Sequence, residues 1–184
     1  MPTHDDWVRL IATPLAAISV AGVAHATEYL SVDQAQQLMY GKQARFERKD
    51  LAVPKAIARE IEAAVGVRVR LLEQPMWEVR EAGKLKGYFF VDEVYGKHEF
   101  ITYALGVDAA GRALQVEILT YRETYGYEIR NPAWRAQFVG KTSTDPFKLD
   151  DDIKNISGAT LSCRHVTDGV KRLLLTYDRL LRAD

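Results

Sequence analysis

The chain has 184 residues, with 25 Lys and Arg balancing 25 Asp and Glu, 47% hydrophobic residues, four His and one Cys. A chain of this length buries one adequate core, so a single domain is expected, and substantial hydrophobicity without net charge excludes a disordered polymer. Zero formal charge argues against a module that neutralises many phosphates, so no nucleic-acid partner is expected; Cys163 has no disulfide partner and, with a few scattered His, no zinc-site spacing.

Leu10 to Ala24 is an uncharged, mostly apolar run of 15 residues, short for a membrane span. Ala24 and Ala26 put small residues where a signal peptidase reads, so residues 1–26 are expected to be an export signal, although Asp5 and Asp6 sit beside Arg9. Cleavage leaves 158 residues with 24 basic and 23 acidic side chains. The exported domain is also near neutral.

Ser31-Val32-Asp33-Gln34 has the capping-box form, and Val32, Ala35, Leu38 and Met39 share one face of a short helix that Gly41 ends. The mixed charges of Arg45 to Asp50 read as a solvated loop. Pro54 opens a second helix with Ala56, Ile57, Ile61, Ala64 and Val65 on one stripe, and Gly66 stops it. The period then becomes alternating. Val67–Leu71, Met76–Arg80, Gly87–Val94, Glu99–Val107 and Ala113–Tyr121 are expected strands, joined by turns at Ala82–Lys84, Gly96-Lys97 and Asp108–Gly111 that suit an antiparallel meander. Pro132 to Phe138 predicts a short helix closed by Gly140, and a last helix runs from about Cys163 to Leu181. Helices and strands in separate runs give an α+β fold, an antiparallel sheet packed with helices.

Between sheet and final helix lies Ile156-Ser157-Gly158-Ala159-Thr160-Leu161-Ser162-Cys163, with small residues and three hydroxyls leading into a helix N-terminus. Unpaired N–H donors and a positive dipole end suit a phosphate there. An ordinary loop with Ser162 as N-cap fits the same residues and is the commoner arrangement. His98 and His165 read as surface or packing residues, Cys163 as a small buried residue, and Trp77 and Trp134 as core.

Ser157-Gly158-Ala159-Thr160 resembles the Ser-Gly-Ala-Thr motif of the FMN-binding domain found in the electron-transport subunits of the Na+-translocating NADH:quinone reductase and Rnf complexes. Ala104–Gly111, Val116–Leu119, Glu123–Gly126 and Phe138–Lys141 resemble, in order, that family's strand, turn, strand, Glu-Thr-Pro-Gly loop and Phe-x-Gly-Lys. The similarity covers roughly residues 66–182. Three differences stand out: Lys154 where the family often has Asp, Tyr125 for Pro, and Tyr127-Glu128 for Leu-Gly.

The resemblance implies residues 27–65 as an N-terminal helical segment and 66–184 as the FMN-binding domain. It implies FMN esterified through its phosphate to Thr160 by a flavin transferase, with Ser157, Gly158, Ala159 and Ser162 around the phosphate. It further implies that Glu123, Thr124, Tyr125, Gly126 and Tyr127 meet the flavin, Tyr125 or Tyr127 by stacking. The expected protein is then an exported, periplasmic electron carrier between a membrane reductase and an extracytoplasmic acceptor, membrane-associated if the leader is retained. A flavin-dependent reductase of a small periplasmic substrate and a flavin-free adaptor are the alternatives.

Overall fold

The computed structural model describes residues 27–123 and 125–182. The expected export signal and Thr124 lie outside the described residues.

Six antiparallel strands form the main sheet: β1 (Thr27–Glu28), β2 (Arg45–Arg48), β5 (Met76–Glu81), β6 (Lys84–Tyr95), β7 (Phe100–Asp108) and β8 (Ala113–Tyr121). Their spatial order is β1-β8-β7-β6-β5-β2, while β3 (Leu51–Ala52) and β4 (Glu73–Gln74) make a separate two-stranded ribbon. Consecutive pairing of β5 through β8 is the meander that the alternating pattern and short turns predict. At the β5–β6 hairpin, Ala82 and Gly83 both have positive φ (48° and 78°), as a two-residue turn following the strand twist requires.

Alternation gives the sheet two apolar faces. Phe90, Tyr103, Leu105, Val116 and Ile118 pack against α4 (Thr160–Leu180), which contributes Val166, Val170, Leu173, Leu174 and Tyr177. Val79, Phe89, Ala104 and Leu119 face the other way and receive Ala35 of α1 (Val32–Tyr40). The capping box of α1 is formed, with Gln34 N–H donating to Ser31 Oγ and Ser31 N–H to Gln34 Oε1. Helix α2 (Lys55–Val65) packs beside α4, and α3 (Pro132–Arg135) continues as a tighter turn over Ala136–Phe138.

Three expectations need correction. Arg45 to Arg48 is an edge strand rather than a loop: its charged side chains are solvated, but Phe46 alternates inward toward Tyr40 and Phe89. Val67–Leu71 forms no strand, because its backbone groups go to side chains instead of a ladder. Glu62 accepts from Val69 N–H (2.9 Å), and Arg172 donates to the Arg68 carbonyl (2.7 Å). Helix α4 begins at Thr160, three residues before the expected start, with Ala159 as N-cap. Ser162 therefore lies inside its first turn and does not cap it.

Helix α4 meets the sheet closely. A methyl group on Gly169 would sit 2.5 Å from the Tyr103 hydroxyl oxygen and 2.7 Å from a Val94 methyl. One turn on, Arg172 makes a buried ion pair with Asp92 of β6, and Tyr103 OH donates to the same carboxylate (2.8 Å). Burial, reinforced by Asp92, raises the Tyr103 phenol far above its ordinary value, so it stays a donor. Gly169→Ala should gain about 1 kcal/mol in helix propensity and lose about 1–3 kcal/mol to overpacking against a rigid buried ring. A lower urea midpoint than wild type is the expected result. Asp92→Ala, which strands Arg172, should cost more, about 3–5 kcal/mol.

Candidate functional site

The largest cleft, about 630 Å³, opens where α4 begins and is lined by the Lys97-His98 turn, by Glu123 and Tyr125–Glu128, and by Gly158–Ser162. Three segments distant in sequence thus converge, and each is held in place by a specific contact.

The turn between β6 and β7 is tied to the loop after β8 by Glu123. Its carboxylate accepts from the N–H groups of His98 (2.6 Å) and Glu99 (3.1 Å). Burial pushes this carboxyl upward, but the His98, Glu99 and Lys97 amides outweigh it and hold the value below the ordinary one. The fit tolerates nothing larger at Gly96, where an added Cβ would lie 2.5 Å from Glu123 Oε1.

Tyr121, at the end of β8, joins the same loop to α4. Its hydroxyl donates to the Tyr125 carbonyl (2.5 Å) and lies 3.1 Å from Ser162 Oγ. Burial raises the Tyr121 phenol, the Ser162 contact only partly opposing it. Gly126 sits in this corner with φ 91°, and a Cβ there would approach the Tyr121 hydroxyl to 2.6 Å and Ala159 Cβ and Ser162 Oγ to 3.3 Å. Only glycine meets both requirements.

The start of α4 faces the cleft without a protein cap. Ala159 offers no side-chain acceptor, the first turn has no acidic residue, and the first N–H bonded to the preceding turn is Cys163 to the Ala159 carbonyl (2.9 Å). Such a terminus carries free donors and positive potential, the surroundings that bind an anion. Thr160 is exposed at the lip, its hydroxyl accepting from Asn155 Nδ2 (3.0 Å). The approach to the motif is anchored through α3: Trp134 Nε1 donates to the Lys154 carbonyl (2.8 Å) and Lys154 N–H to Gln137 Oε1 (2.7 Å).

Of the residues picked out by sequence, Gly158, Ala159, Thr160, Ser162, Glu123, Tyr125, Gly126 and Tyr127 line the cleft. Ser157 is exposed outside the lining. Ser162 is buried, and Glu123 is spent on the 97–99 turn, so both act through structure. Tyr125 and Tyr127 are 80% and 59% exposed, which leaves their rings unpacked beside the cleft together with Leu161. Lys97, His98 and Glu128 also line it, and Tyr121 braces it. The strand-ending position of Tyr121 in sequence marks it only as core. Cys163 is fully buried and its thiol is raised by burial, so it is a packing residue.

Residues 96–175 match the family profile described as the FMN-binding domain, a segment that contains every residue lining the cleft. Among solved structures, Shewanella oneidensis NqrC aligns with a TM-score of 0.51 and 16% identity, covering 73% of this chain and 80% of that one. The corresponding component of the Na(+)-translocating NADH-quinone reductase from Parabacteroides distasonis ATCC 8503 aligns with a TM-score of 0.48 and 17% identity, over 78% and 79% of the two chains. No curated protein matches the chain. The first structural likeness shows a shared α+β fold.

Because the Glu123 carboxyl is lower folded than unfolded, its stabilisation is fully present above the ordinary glutamate value of 4.5 and is lost as pH falls through the folded value. The His98 amide resonance should therefore titrate with a midpoint below 4.5, and Glu123→Gln should abolish that titration. Cys163 should resist a thiol reagent in the native state and react only at the rate of unfolding.

Proposed function

The chain carries a domain of the FMN-binding family over residues 96–175, and on that premise we propose that it is an exported electron carrier with FMN attached by a phosphoester to Thr160. The observation that carries the reading is the exposed Thr160 hydroxyl at the uncapped start of α4, opening into a cleft of about 630 Å³. A phosphate ester there would lie beside the free N–H groups of the first turn, where a dianion is most favoured.

When bound, FMN would supply the redox chemistry, and the protein would govern its position, solvent access and potential. Gly158 has φ 84° and no atom within 4 Å of where its Cβ would stand, so the backbone there leaves room for a phosphate to approach. The open rings of Tyr125 and Tyr127 and the Leu161 side chain offer apolar faces on which a planar aromatic ring can lie. Lys97 brings a cation to the lining, and the Glu123 charge is turned to the 97–99 amides, leaving Glu128 as the other carboxylate in the lining. Tyr121 and Gly126 hold loop and helix in register.

In this reading residues 1–26 direct export, a flavin transferase performs the attachment, and a membrane-associated reductase exchanges electrons with a periplasmic acceptor through the domain. Among the described residues no helix is long and apolar enough to cross a membrane. Lys154, whose main chain is held from both sides by α3, presents an exposed side chain where the family often has Asp.

Coexpression with a flavin transferase in an exporting host should give a protein whose yellow fluorescence survives denaturation. Thr160→Ala should remove it entirely and Ser157→Ala should leave it. Wild-type protein that stays colourless under these conditions defeats the reading.

A further inference from the structure

A second cavity, about 220 Å³, lies among the segment before β4, the end of β6 and the second turn of α4. Arg68, Arg70 and His165 line it, with Val67, Val94 and Tyr95 supplying apolar surface. The 67–70 segment is irregular yet fixed, since Arg172 holds the Arg68 carbonyl and Glu62 the Val69 amide. Arg70 stacks on Phe100, its guanidinium carbon 4.3 Å from the ring centroid. Among the described residues neither Arg68 nor Arg70 is paired with a carboxylate, and Arg172 is committed to Asp92. Asp168, one turn on from His165, makes no ion pair with these side chains.

His165 adds a neutral donor. Its Nδ1 is enclosed without a hydrogen-bond partner, and an enclosed ring nitrogen with no acceptor is costly to protonate. The imidazole therefore carries its hydrogen on Nε2, which is not enclosed and has no partner among the described residues.

We propose that this cavity binds a small organic anion, a monocarboxylate with a compact apolar body. Arg68, Arg70 and the His165 Nε2–H receive the carboxylate, and Val67, Val94 and Tyr95 enclose the body. A volume of about 220 Å³ excludes a nucleotide. The site uses no residue of the larger cleft, so it stands or falls independently of flavin attachment.

The test is titration of the full-length protein with benzoate, followed by calorimetry and by amide shifts of residues 67–70 and 94–95. Saturable binding is expected, weakened about tenfold in Arg70→Gln and in His165→Gln through loss of a charge-assisted or donor contact. Arg70→Lys should recover most of the affinity, and Lys97→Gln, altered in the other cleft, should bind as wild type. Thermal melts show whether each variant is folded. Benzamide binding as tightly as benzoate would remove the anion from the proposal, and inorganic phosphate binding as tightly would remove the apolar body. Wild-type affinity in both Arg70→Gln and His165→Gln, or no saturation up to the solubility of benzoate, overturns it outright.

Discussion

The seating of α4 on the sheet is the constraint from which the cleft follows. Gly169 lets the helix backbone come against Tyr103 and Val94, and one turn later Arg172 and Asp92 pair in the interior. A buried ion pair contributes little net stability compared with apolar residues of the same volume, but it is exacting about geometry because a displaced partner leaves an unpaired charge. Tyr103 donating to Asp92, and the carbonyls of Arg68 and Glu93 accepting from Arg172, satisfy the remaining capacity. Sliding α4 along the sheet would break all of these together, so the position of its first turn is fixed from its middle.

With that first turn placed, the rest of the cleft is assembled by short tethers. Tyr121 reaches from the last strand to the Tyr125 carbonyl and Ser162, and Glu123 reaches back to the amides that precede β7. Both residues lie at the end of β8, the strand whose pairing with β7 is among the most extensive in the sheet. A mobile loop would have to be ordered when a ligand binds, at a cost in conformational entropy; here these hydrogen bonds meet much of that cost beforehand. The exposed rings of Tyr125 and Tyr127 are thus carried on a braced backbone.

Strands β5 to β8 were legible because each buries alternate residues and ends at a turn with Gly or Asp, and α1 because its capping box is local. The motif at 157–160 was legible as small residues before a helix. The start of α4 was not, since Ser162 looks like a cap until Tyr121, 41 residues earlier, is seen to engage its hydroxyl. Val67–Leu71 misled for a related reason: its alternation is real, but the partners that take its backbone groups are Glu62 and Arg172. Asp92 and Arg172 are 80 residues apart, and nothing local distinguishes them from solvated charges. What sequence reading loses in each case is a long-range side-chain contact.

The two principal helix starts show that the missing cap on α4 is specific to its place. At α1, Ser31 and Gln34 satisfy each other's backbone donors. At α4, Ala159 stands at the cap, the Thr160 hydroxyl is engaged by Asn155, and the Ser162 hydroxyl is turned to Tyr121. An absent side-chain cap costs about 1 kcal/mol, and that cost falls on the 21-residue helix around which the core is organised. Serine, asparagine and threonine all lie within five residues of this terminus, so the segment has the means to cap itself and directs its polar groups elsewhere. An anion at the cleft would complete the terminus that α4 leaves open, coupling occupancy of the site to stability of the helix.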